Sequence, residues 1–102
     1  MKNIELTNTT REERRAINLR IQKYEKDPCL RGPLKHLEAM IPTIPRSTDL
    51  LLKKIYTKNY WEPLDIGMRS YIGEYVACLV AAKRLPLILV GDRSNSNLYK
   101  RI

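Results

Sequence analysis

From Met68 onward the sequence changes its hydrophobic period once, and that change limits the folds open to it. Met68, Tyr71, Ile72, Tyr75, Val76, Leu79 and Val80 follow the i, i+3, i+4, i+7 spacing of a helix with one buried face. After Arg84 the pattern becomes Leu85-Pro86-Leu87-Ile88-Leu89-Val90-Gly91, a β-rich run. The polar stretch Asp92-Arg93-Ser94-Asn95-Ser96 then leads into Asn97-Leu98-Tyr99-Lys100-Arg101-Ile102. A helix from about residue 67 to 84, closed by Pro86, and a hairpin with its tip at 92–96 are therefore expected at the C-terminal end.

The segments before it read as helices. Thr10-Arg11-Glu12-Glu13 has the form of a capping box and predicts a helix from about Arg11 to Lys26. Its apolar stripe is narrow (Ala16, Ile17, Ile21, Tyr24). Most of its surface is covered by Arg11, Arg14, Arg15, Arg20, Lys23 and Lys26, so it packs at an edge and shows a basic face. That face suits either plain solvation or contact with a polyanion, with Arg14 and Arg15 as candidate phosphate donors. Met1–Asn8 is expected as a short extended lead. Gly32-Pro33 opens a shorter helix to about Ile41. Pro42-Thr43-Ile44-Pro45 is expected as a stiff extended connector, where a helical extension (residues 1–46) gives way to a second unit (47–102). Ser47-Thr48-Asp49 offers cap residues for a helix running to about Lys58. Trp61 is expected to seal one end of the core.

The chain has 102 residues, 19 Lys and Arg against 11 Asp and Glu, and a net charge of +8 that divides evenly, +4 up to and including Arg46 and +4 after it. A basic surface of this kind favours nucleic acid, anionic lipid or an acidic protein, or is simply solvated. Cys29 and Cys78 stand apart with no metal-ligand spacing, and His36 is the only histidine, so neither metal nor cofactor is expected. No nucleotide-binding or hydrolase motif is present, and no apolar run is long enough for a membrane span or a signal peptide. A cytoplasmic protein without a small-molecule substrate is expected.

Ser47–Lys58, Met68–Lys83, Arg84-Leu85-Pro86-Leu87 and the hairpin Ile88–Ile102 together resemble a winged helix–turn–helix DNA-binding domain. The pattern Trp61-Glu62-Pro63-Leu64, Gly67-Met68-Arg69, Ile72-Gly73 and Asn97-Leu98-Tyr99 is similar to small winged-helix proteins of phages and other mobile elements. The fold expected is thus mostly α with a C-terminal β-hairpin, a winged helix–turn–helix plus the N-terminal helical extension. The resemblance implies a non-enzymatic transcriptional regulator or accessory protein that binds double-stranded DNA. Helix 67–84 would enter the major groove N-terminus first, presenting Arg69, Ser70, Gly73, Glu74 and Ala77, and the wing at 91–97 would bring Arg93, Ser94, Asn95 and Ser96 to phosphates. Lys100 and Arg101 would sit at its base. Arg69 is the one strong reader of guanine there; Glu74 suits cytosine but repels phosphate.

Gly73, Ala77 and Ala81 form a stripe of small residues that permits close approach, by a DNA backbone or by a second helix. The second alternative is a winged-helix adaptor for a protein partner, or a homodimer. A third reading, a small basic ribonuclease toxin using Tyr99-Lys100-Arg101, competes with the simpler one in which Tyr99 points inward and the cations guard a strand edge.

Overall fold

A computed structural model describes residues 10–93 and 96–102. The expected lead over Met1–Asn8 and the wing residues Ser94 and Asn95 lie outside them. The described chain is mostly helical with a C-terminal antiparallel hairpin. Helix α1 is Arg11–Glu25 and α2 is Arg31–Met40, preceded by a 3-10 turn at Pro28–Leu30 and followed by another at Ile41–Thr43. Strand β1 (Asp49–Leu51) runs into the short helices α3 (Leu52–Tyr56) and α4 (Lys58–Trp61). Helix α5 (Ile66–Ala81) then precedes strands β2 (Leu87–Arg93) and β3 (Ser96–Arg101).

Local chemistry sets the helix ends. The capping box forms as expected: Glu13 N–H donates to Thr10 Oγ1 at 3.0 Å, and Thr10 N–H donates to Glu13 Oε1 at 2.9 Å. Asp65 caps α5 by accepting from Met68 N–H at 2.7 Å. At the other end of α5, Lys83 takes a left-handed conformation with φ 60°. Arg84 N–H then reaches Leu79 O, and Lys83 N–H reaches Val80 O, the paired bonds of a Schellman motif. The helix ends at Ala81, earlier than periodicity alone suggests.

Three expectations change. The helix expected from Ser47 to Lys58 is instead strand β1 followed by α3. Asp49, Leu50 and Leu51 pair with Lys100, Tyr99 and Leu98, so an open edge of β3 recruits a segment whose local preference was helical. Thr57, at φ 76° and ψ 154°, then separates α3 from α4. The expected hairpin tip is tighter, because Asp92 pairs with Asn97 and Arg93 with Ser96, which places Arg93 and Ser96 in strands. The connector Pro42–Pro45 begins in the 3-10 turn Ile41–Thr43, which sets Ile41 and Ile44 three residues apart so that both are buried.

The sheet order is β1-β3-β2, all antiparallel, with a bulge at Val90 where the register steps between Leu89 and Gly91. Helix α5 is covered on more than one side. From Tyr75 to Val80 only Ala77 escapes full burial, since α1 crosses one face of the helix and the hairpin packs against another. Residues on both sides of Arg46 share one buried cluster, from Ile21 (0% exposed), Leu30, Leu37 and Ile41 to Ile72, Leu79, Leu87 and Tyr99. Aromatic rings join the helices. Tyr24 of α1 lies 5.5 Å from Tyr71 and 5.3 Å from Tyr75, and His36 stacks at 4.1 Å on Tyr60. The buried Tyr56 hydroxyl donates to Pro33 O at 2.6 Å, and His36 Nε2 lies 3.1 Å from Tyr56 O. A carbonyl only accepts, so Nε2 carries the proton. Trp61 packs against the core and stacks on Tyr56 at 5.3 Å.

The left-handed Lys83 carries a steric cost that glycine lacks. Lys83→Gly therefore raises stability by about 1 kcal/mol, read as a higher urea midpoint with an unchanged slope. A second measurement addresses the bond between α5 and the turn after α1, where Tyr71 O–H donates to Asp27 Oδ2 at 2.6 Å. This bond, with Cys29 N–H second, holds the Asp27 carboxyl below its ordinary 3.8, and the same bond pushes Tyr71 up to about 12 from 10.0. The carboxylate's contribution is present above 3.8 and lost as pH falls through its lower folded value. The phenol's is full below 10.0 and lost as pH rises towards 12. The stability advantage of wild type over Tyr71→Phe is thus flat from about pH 4 to 10 and shrinks on both sides, which urea unfolding across pH measures.

Candidate nucleic-acid interface

One cleft gathers the α5 part of the expected surface and Ser96, while Arg93, Lys100, Arg101, Arg14 and Arg15 lie outside its lining. Arg69, Ser70, Gly73, Glu74 and Ala77 of α5 meet Ser96, Asn97 and Tyr99 of β3 and Leu51, Leu52 and Lys53 of the β1–α3 junction. Trp61 completes the lining of a space of about 500 Å³. The helix supplies its residues at i, i+3, i+4 and i+7 spacing, so they share a face. The strand supplies Ser96 and Asn97 because β1 holds β3 beside the helical layer. Lys53 and Trp61 are not part of the surface expected from the sequence, whereas Asn97 lies at the end of the expected wing 91–97. Lys53 reaches the cleft only because β1 is a strand, and nothing local in the sequence signals that.

The cations differ in how far the fold engages them. Arg69 Nε lies 3.3 Å from Trp61 O and its Nη2 lies 3.0 Å from Glu62 O, so the guanidinium caps the carbonyl end of α4 and fixes the α4–α5 turn. Arg101 Nη1 donates to Pro42 O at 3.2 Å and Ile44 O at 3.0 Å, tying β3 to the segment after α2. Lys100 is half-buried and Arg93 exposed. Ser70 and Glu74 are exposed; Glu74 accepts from the Tyr24 hydroxyl at 3.3 Å, which in turn lies 3.5 Å from Arg20 Nη2. Arg14 and Arg15 lie apart from the cleft, lining a shallow depression on α1 with Arg11, Asn18, Leu19 and Gln22. Ala81 sits at the last residue of α5, outside the cleft lining. Among the described residues the one ion pair joins Arg84 to Glu25 at 3.3 Å, so the cations are little neutralised by internal carboxylates.

The triplet Tyr99-Lys100-Arg101 is not gathered on one surface. Tyr99 is 2% exposed and burial raises its phenol; Lys100 points to the opposite face of the strand from Tyr99 and Arg101. Burial also pushes the Cys78 thiol up, away from a reactive thiolate. Among the described residues no group of three or more His, Cys, Asp or Glu is placed to hold a metal ion, and no helix is long and apolar enough to cross a membrane.

No protein-family model, curated protein or solved structure matches the chain.

Gly73 sits inside α5, and a Cβ built there meets nothing within 4 Å. Packing within the chain does not demand glycine, although glycine weakens a helix interior. Gly73→Ala accordingly stabilises the protein by about 0.5–1 kcal/mol, measured by chemical unfolding.

Proposed function

We propose that the chain is a small DNA-binding regulator or accessory protein of winged helix–turn–helix form, cytoplasmic and encoded by a phage or plasmid. The observation that carries this reading is the order β1-β3-β2. Pairing with β1 holds the hairpin against the helical layer, so that β3 and the open face of α5 border the same cleft. A rigid flap beside a helix is what an approach to a grooved polyanion needs. The net charge of +8, with one internal ion pair among the described residues, supplies long-range attraction.

In this reading Arg93 and Ser96 of the hairpin, and Lys53 at the start of α3, contact phosphates, with Lys100 behind them and Arg14 and Arg15 adding to the general field. Ser70 and Glu74 face base edges. Arg69 acts through the α4–α5 turn, setting the angle at which α5 is offered. With few hydrogen-bonding readers on α5, phosphate contacts dominate the affinity.

A second reading, a protein-binding adaptor or a homodimer, is favoured by one observation: the unoccupied space over Gly73, beside the half-buried Ala77, would accept a helix backbone. Ala77→Glu closes that space. An adaptor then loses its partner, and a dimer sediments as a monomer.

Fluorescence anisotropy with a random-sequence duplex across a salt series tests the main reading. Binding weakens steeply with salt, and the double variant Lys53→Ala, Arg93→Ala reduces the slope of log K against log salt by about two. Salt-independent binding, or a slope that the double variant leaves unchanged, rejects it.

A further inference from the structure

Resting on the DNA-binding reading, we propose that α5 prefers A·T-rich duplex and recognises the 5-methyl group of thymine, with Ile66 as the specificity-determining side chain. Ile66 is 78% exposed, more than Leu19, Val90 or Ile102, and takes no part in the buried core. Nor does the helix start need it, because Asp65 already caps the first turn. It is the first residue of α5, and helical side chains lean towards the N-terminus, so on a helix that enters a groove by that end Ile66 leads. Ser70 follows four residues later on the same face, with Gly73, Glu74 and Ala77 beyond. The guanidinium nearest this face, Arg69, is already bonded to the Trp61 and Glu62 carbonyls. What α5 offers a base edge is therefore one aliphatic group, one hydroxyl and a carboxylate whose Oε1 already accepts from the Tyr24 hydroxyl at 3.3 Å.

The thymine methyl is the one apolar group of appreciable size on the floor of the major groove; cytosine carries only a C5 hydrogen there, and the remaining features are donors or acceptors. Isoleucine set against a donor or acceptor strips its water without replacing the hydrogen bond, which is unfavourable. Set against the methyl it buries apolar surface on both sides. Glu74 accepts from an exocyclic amino group, which cytosine and adenine both carry, and Ser70 serves either base, so the preference for A·T rests on Ile66 alone.

The test compares two duplexes that differ only in that methyl, alternating poly(dA-dT) and alternating poly(dA-dU), titrated with the full chain by anisotropy at one salt concentration. The thymine duplex binds more tightly by about fourfold for each methyl covered, and Ile66→Ala binds both equally while its circular dichroism is unchanged. Equal binding by the wild type overturns the inference and leaves DNA binding in place. A difference that survives in Ile66→Ala belongs to duplex shape and overturns it too. If Ile66→Ala alters the sedimentation of the free protein, the side chain lies in a protein interface and the inference fails. Binding to neither of these duplexes nor to a G·C duplex removes the underlying reading along with it.

Discussion

Strand β3 is hydrogen-bonded along both edges, and most of the architecture depends on that. On one side it pairs with β2, the ordinary consequence of a hairpin; on the other it pairs with β1, some fifty residues earlier in the chain. Tyr99, near the middle of β3, is buried between these neighbours and the helices. Arg101, two residues on and thus on the same face, donates to the Pro42 and Ile44 carbonyls and ties the strand to the end of α2. A strand held in three directions turns a flap into a fixed wall. The cleft beside α5 has a defined shape for that reason.

Helix α5 has the complementary problem of being covered by two different elements while keeping one face open. Its C-terminal half is apolar nearly all round, and the hairpin and α1 divide it between them. Tyr71 and Tyr75 meet Tyr24 across the α1 contact, and the Tyr71 hydroxyl closes onto Asp27. The open face is left to Ile66, Ser70, Gly73, Glu74 and Ala77; Ile66, Ser70 and Glu74 are exposed, and Gly73 and Ala77 are half-buried between them. An open face on an otherwise enclosed helix is the natural place for a partner to bind.

Features that follow from neighbours in the chain are legible in the amino-acid sequence alone. The Thr10–Glu13 capping box, the helical apolar series from Met68 to Val80 (buried from Ile72 on, half-buried at Met68 and Tyr71) and the strand pair after Pro86 all depend on local spacing, and all are present. Features that depend on distant partners are not legible in the same way. Asp49-Leu50-Leu51 becomes a strand only because β3 has an edge to fill, and no propensity in those three residues says so. Thr57 adopts its unusual backbone where Tyr56 is fixed by His36 and Pro33, about twenty residues away. The same division runs through the candidate surface. Helix periodicity suffices to place Ser70 and Glu74 on one face of α5, whereas Ser96, expected in the turn, begins strand β3. The attachment of Arg69 and Arg101 to backbone carbonyls, and the arrival of Lys53 at the cleft, are products of the tertiary fold.

With β3 in the centre, β1 and β2 are the rims of the sheet, and β2 passes from buried at Leu87 to exposed at Asp92 and Arg93. The bulge at Val90 interrupts the even spacing of amide and carbonyl groups there, and Asp92 and Arg93 place opposite charges just beyond it. A foreign strand trying to extend the sheet would find its ladder out of step after two or three bonds. The kink therefore makes β2 a poor template for a further strand, although its outer edge has no pairing partner within the described sheet.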